Sequence, residues 1–112
     1  MIRIAEDGSE WKMLVGEEDG FLCASETHAP DCDRSFAEAH HMVFLSQITG
    51  EPNARWIVEN GIALSEPCHK LAHATHNVSV GLDRANRGVA AVNLILAGRG
   101  RTKIPPFRKK TL

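Results

Sequence analysis

Apolar positions along this chain fall into short groups parted by polar and turn-forming stretches, not into long periodic runs. Residues 2–5 and 11–15 flank Asp7-Gly8-Ser9, a turn signal, which predicts a hairpin or two loose strands over residues 1–20. Residues 21–33 have no helical period and contain Pro30, so they read as a loop. Residues 35–44 carry enough apolar and β-tolerant side chains for a strand, with His40 and His41 near its end. Gly50, Pro52 and Asn53 mark 46–55 as an exposed loop, and 56–59 suits a helical turn or an extended segment. Asn60-Gly61 predicts a tight turn, and 62–64 a second short strand. Ser65-Glu66-Pro67 is a helix start, with Ser65 able to cap, and the helix is expected over about 66–76. A second helix is expected over about 83–97, capped by Asp83, with Val89, Val92 and Leu96 at spacings of three and four. Gly88 weakens it by up to ~1 kcal/mol relative to Ala. Pro105-Pro106 excludes helix from the end of the chain, which is predicted to be an extended arm.

The 112 residues predict one domain, 1–112, with a modest core, and the 43% hydrophobic and 24% charged residues are those of a globular chain. No apolar run reaches the length of a membrane span, and the first residues have no apolar signal core, so a cytoplasmic address and no membrane partner are expected. Three cysteines, an odd number, argue against a disulfide scaffold and for free thiols or metal ligation. The net charge of -1 hides a polarised distribution: beyond Asp83 there is no acidic residue. Arg99, Arg101, Lys103, Arg108, Lys109 and Lys110 make 98–112 a basic tail, which suits either phosphate contact with nucleic acid or simple solvation.

The chemistry concentrates in the histidines. His69 and His73 stand at i and i+4, so on a helix both rings project from one face, a spacing suited to one divalent ion. His40 and His41 are neighbours on a strand and face opposite ways, so they cannot be assumed to do the same job. One can ligate with His69 and His73 while the other stays free as a base.

Ala39-His40-His41-Met42, then Glu59-Asn60-Gly61-Ile62-Ala63-Leu64, then Pro67-Cys68-His69 resemble the HNH endonucleases of the ββα-metal nuclease group, over about residues 21–77. The resemblance implies an α+β fold: a small ββα-metal core at 21–77, with a short N-terminal β segment, an additional C-terminal helix and the basic extended tail. It implies metal-dependent hydrolysis of DNA phosphodiester bonds, with His41 as general base and Asn60 fixing the loop and helping to orient it. His40, His69 and His73 would hold one divalent ion, Mg²⁺, Mn²⁺, Ni²⁺ or Zn²⁺; the helix pair is similar to that of colicin-type nucleases. Stand-alone HNH proteins of this size resemble those encoded by phages, which implies a host-cytoplasm setting and phage packaging or recombination proteins as partners.

One departure concerns structural zinc, which many members of this group hold with two Cys-x-x-Cys pairs. Here the second pair reads Ser65-Glu66-Pro67-Cys68, and Cys23 and Cys32 are nine positions apart with His28 between them. Ligand type allows a Cys23, His28, Cys32, Cys68 site; the irregular spacing favours three thiols without a metal. The alternatives to a free-standing enzyme are a non-catalytic, metal-stabilised module that binds nucleic acid or a partner, and a nuclease active only within a larger complex.

Overall fold

The computed structural model describes residues 2–109; Lys110 of the predicted basic tail lies outside them. Within them the chain is a small α+β protein of four α-helices and a two-stranded antiparallel sheet. Helix α1 spans Gly8–Glu18, strand β1 Glu38–His41, the single-turn helix α2 Pro52–Arg55, strand β2 Gly61–Leu64, helix α3 Glu66–Ala74 and helix α4 Leu82–Gly98. Short 3-10 turns occupy Leu45–Ile48 and Val58–Asn60.

Strand β1 sits inside its predicted range, β2 begins one residue before its own at Gly61, and α3 begins at the Ser65 cap, whose hydroxyl accepts from Cys68 N. The N-terminal β segment is not formed. Asp7 caps a helix there, accepting from Glu10 N at 2.8 Å, and Trp11, Leu14 and Val15 fall on one helical face. Extended structure before it is limited to a bridge between Ile4 and Ile57. Residues 46–55, expected as loop, carry two helical turns, the second started by Pro52 at its first position. Asn60-Gly61 is not a tight turn: Asn60 closes a 3-10 turn and Gly61 opens β2. The cap of α4 is Gly81 at φ 107°, and Asp83 lies in the first turn, where its charge favours the helix dipole.

The strands pair in the register Glu38↔Leu64, Ala39↔Ala63, His40↔Ile62 and His41↔Gly61. Alternation sends Ile62 and Leu64 into one core with Cys68 and Ala72 of α3, and Ala63 into another with Trp11 and Val15 of α1. Helix α4 closes a third core through Val89, Val92 and Leu96 against Val43 and Ile57. The outer edge of β2 is sealed by side chains and loop. Asp19 accepts from Ala63 N (2.8 Å) while ion-paired to Arg84 (3.0 Å), Arg84 donates to Gly61 O, and Ala24 N donates to Ala63 O.

Of the predicted tail, Gly98 still belongs to α4, and the described residues 101–109 have no helix or strand and are docked on α4. Asn93 pairs through both amide atoms with the peptide groups of Ile104, and Asn86 does the same with Phe107. Seven helical residues rise about 10.5 Å and three extended ones span about 10 Å, so the two spacings match.

Gly61 is where α1 meets the sheet: a Cβ there would stand 2.3 Å from Val15 Cγ2 and 2.9 Å from Trp11 Cζ2. Gly61→Ala is expected to cost ~1–3 kcal/mol by overpacking, read as a lower urea midpoint with an unchanged m-value.

Candidate active site

The end of β1 is where strand alternation has chemical consequences. His40, opposite Ile62, turns toward α3, and its ring lies 5.0 Å from those of His69 and His73, centroid to centroid. The Nε2 atoms of His69 and His73 are 3.2 Å apart, and one nitrogen from each of the three rings lies within 4.8 Å of the others. A tetrahedral ion sets its nitrogen ligands about 3.3 Å apart, so the trio has the composition and spacing of a metal-binding group. Burial grades outward: His40 is buried, His69 half-buried and His73 exposed, leaving the cluster open to solvent on one side. Phe44 walls it, stacking on His73 at 5.1 Å and meeting His40 edge-on. Burial pushes the His40 pKa down to about 4, against the opposing bond to Asn77 Oδ1 (2.7 Å) and with help from the neighbouring imidazoles. Burial and His73 also lower that of His69. Both rings are therefore held neutral near pH 7, the form that ligates metals.

His41 turns the other way. Its ring stacks on Trp11 at 4.0 Å with an interplanar angle of 11°, and its Nε2 lies 2.9 Å from Arg55 O. A carbonyl only accepts, so Nε2 carries the proton and Nδ1 is the basic nitrogen. Burial lowers the His41 pKa, the Arg55 charge adds to this, and the Arg55 carbonyl opposes it. All four histidines nonetheless line one cavity of about 240 Å³, together with Ala39, Phe44 and Leu45. A larger one of about 550 Å³ adjoins it beneath Leu45, Ile48, Pro52 and Trp56, but contains none of the histidines.

Asn60 is fully buried, and its amide is spent on one residue: Oδ1 accepts from Val43 N (2.8 Å) and Nδ2 donates to Val43 O (3.1 Å). It fixes the chain just beyond His41 and reaches that ring only through the backbone.

The second group is Cys23, His28, Cys32 and Cys68, whose ligand atoms also lie within 4.8 Å of one another. His28 Nδ1 is 3.6 Å from Cys23 Sγ, 3.3 Å from Cys32 Sγ and 3.6 Å from Cys68 Sγ. Sulfur and nitrogen ligands of a tetrahedral ion stand about 3.5 Å apart, so this donor set fits a closed four-coordinate site. Burial raises the Cys32 thiol, but hydrogen bonds from Ser65 Oγ (3.0 Å), Arg34 N, Cys68 and His28 outweigh it and bring its pKa to about 6. Burial raises the Cys68 thiol. The irregular spacing that spoke for three free thiols is bridged by His28, which the loop folds back between the sulfurs.

The basic candidates divide. All five described ones are exposed, but Arg99 and Arg101 pair with the buried Glu51 at 3.5 and 3.1 Å, whereas Lys103, Arg108 and Lys109 carry no such pairing to it. Sequence reasoning missed Trp11, Phe44 and Asn77. A tryptophan or phenylalanine carries no signal of a histidine partner; Asn77 (φ 68°) could be read only as a residue suited to the left-handed turn after a helix. No helix of the described residues is long and apolar enough to cross a membrane. Comparison of the chain with protein-family models, with curated proteins and with solved structures finds no match.

Removing the Asn60 amide strands a buried N–H and a buried C=O. Asn60→Ala is expected to cost about 2–5 kcal/mol in chemical denaturation. Asn60→Asp should lose a comparable amount, because a carboxylate oxygen then faces Val43 O.

Proposed function

We propose that the protein is a metal-dependent endonuclease of the HNH type that hydrolyses DNA phosphodiester bonds, built on a ββα-metal core of β1, β2 and α3. The observation that carries this reading is one open cavity holding an oriented, neutral His41 beside the His40–His69–His73 trio. The order of His40-His41, Asn60-Gly61 and Cys68-His69, similar to that family, supports it.

His41 donates Nε2–H to Arg55 O and is clamped flat by Trp11, which aims Nδ1 as the base that takes a proton from water. The hydroxide so formed attacks phosphorus in line, the bond to the 3′ oxygen breaks, and that oxygen takes a proton from solvent water, leaving 5′-phosphate and 3′-hydroxyl ends. A divalent ion held by His40, His69 and His73 would supply positive charge against the phosphate and the departing oxygen. Its ligands are all neutral, so the ion's full charge is available to an anionic substrate. The exposed Lys103, Arg108 and Lys109, and the Arg55 guanidinium lying over Trp56 at 5.0 Å, offer contacts to the backbone without reading sequence. The Cys23–His28–Cys32–Cys68 group is read as a structural zinc site, because three cysteines and a histidine in closed array suit zinc and leave no position for substrate.

The test is nicking of supercoiled plasmid with Mg²⁺, Mn²⁺, Ni²⁺ or Zn²⁺, against EDTA and against His41→Ala. Metal-dependent nicking that falls about 10²–10⁴-fold in the variant is expected. No cleavage in any metal, with salt-sensitive retention of DNA, would favour the binding-module reading instead. For the second group, purified protein should contain one tightly held zinc per chain. Cys32→Ser should release it and lower the melting temperature by about 10 °C, the shift ~2 kcal/mol makes in a domain of this size. Full metal loss with an unchanged melting curve would remove the structural role.

A further inference from the structure

We propose that Asn77 is the positioning residue of the histidine trio: its side-chain carbonyl fixes His40 as the Nε2–H tautomer, so that His40 offers Nδ1 to the divalent ion. This rests on the reading of His40, His69 and His73 as a metal site.

The inference follows from hydrogen-bond directions that leave no freedom. Asn77 is fully buried, and its Nδ2 donates to Met42 O at 2.6 Å. Rotating the amide by half a turn would set Oδ1 against that carbonyl, acceptor against acceptor, so the orientation is fixed. Oδ1 must then face His40 Nε2, 2.7 Å away, and an amide oxygen can only accept. Nε2 therefore carries the proton, and the lone pair of the neutral ring is on Nδ1. A ligating histidine that donates its other N–H to a fixed acceptor is both oriented and made more basic. The local backbone serves this geometry. Helix α3 ends at Ala74, and His76 and Asn77 follow at φ 49° and 68°, a left-handed pair that turns the chain back beneath the strand end. Asparagine tolerates that conformation better than most side chains. The helix that presents His69 and His73 thus also delivers, through its own exit, the group that sets the third ring.

The test uses full-length protein with its cysteine group loaded with zinc, titrated with Co²⁺ and followed by calorimetry and by the visible absorption of the bound ion. Long-range ¹H–¹⁵N correlation on the cobalt-free protein reads the His40 tautomer independently. Asn77→Gly removes the amide without straining the positive φ, and Asn77→Asp keeps the acceptor while losing the donor to Met42 O. Expected are an Nε2–H His40 in the wild type and a Co²⁺ affinity about 10–100-fold weaker in Asn77→Gly. Asn77→Asp should stay within about threefold of wild type or bind more tightly, since a carboxylate accepts the same N–H more strongly. An Nδ1–H His40 in the wild type would overturn the proposal, and needs no variant to fold. So would unchanged affinity in Asn77→Gly, or equal losses in both variants, which would assign the effect to the Met42 contact. His69→Ala is the control for the site itself. If wild type takes up no Co²⁺ beyond the zinc, or His69→Ala takes it up equally, the metal-site reading fails while the tautomer result still stands.

Discussion

Met42 and Val43 follow the histidine pair directly, are fully buried, and lie where the β1–β2 ladder has already ended. Four backbone polar groups there must find partners away from water, at a cost of about 1–3 kcal/mol for each one left alone. Two asparagines, with the backbone of one of them, supply all four. Met42 N donates to Asn60 O, Met42 O accepts from Asn77, and both peptide groups of Val43 go to the Asn60 amide. The chain leaving β1 is thereby held from two sides, by the turn before β2 and by the exit from α3. The directions of His40 and His41 inherit that rigidity, since their backbone is continuous with it.

Rigidity at this point fixes what strand alternation does with the two histidines. Adjacent side chains diverge, so one histidine enters the α3 face and becomes part of a cluster, while the other meets Trp11 of α1 and stays outside it. A helix on each face is then required, and α3 serves twice. Its first turn brings buried Cys68 to the cysteine group, and His69 begins the trio one residue later. Anchoring that turn to the 23–32 loop fixes the rotation of α3 about its axis, and with it the direction of both helix histidines. The two clusters are chemically separate but mechanically joined.

Much of this was legible because it is local. Ser65-Glu66-Pro67 announces a helix start by capping chemistry, and i, i+4 histidines announce a shared face. The N-terminal helix was equally local and was misread: Asp7-Gly8-Ser9 looks like a turn, yet Asp7 with Glu10 three positions on and an apolar 11, 14, 15 pattern are helix-start signals. Other features were not in the local pattern at all. Gly88 counts against α4 by propensity, but a Cβ there would stand 2.9 Å from Asn60 Oδ1, so the helix gives up some intrinsic stability to lie against the buried amide. His28 gains meaning only when a loop places it among three sulfurs, and Asn77 only when its turn passes under β1.

The basic tail shows how charge count and charge availability part company. Arg99 and Arg101 neutralise Glu51, whose carboxylate would otherwise be buried unpaired, and so secure the 46–55 segment that carries the Arg55 carbonyl against His41. Asn86 and Asn93 then lay the following residues along α4. Lys103, Arg108 and Lys109 are consequently presented by a docked segment and not by a free arm. A flexible arm must lose conformational entropy each time it grips phosphate, whereas a surface ordered by folding has met that cost already. On the proposed function, which requires a grip on phosphate without sequence readout, fewer available charges on a fixed surface can match a larger number on a mobile one. The same docking ties the cationic surface to α4, through the two asparagines and through Ile104 and Phe107 packed against the core that α4 closes.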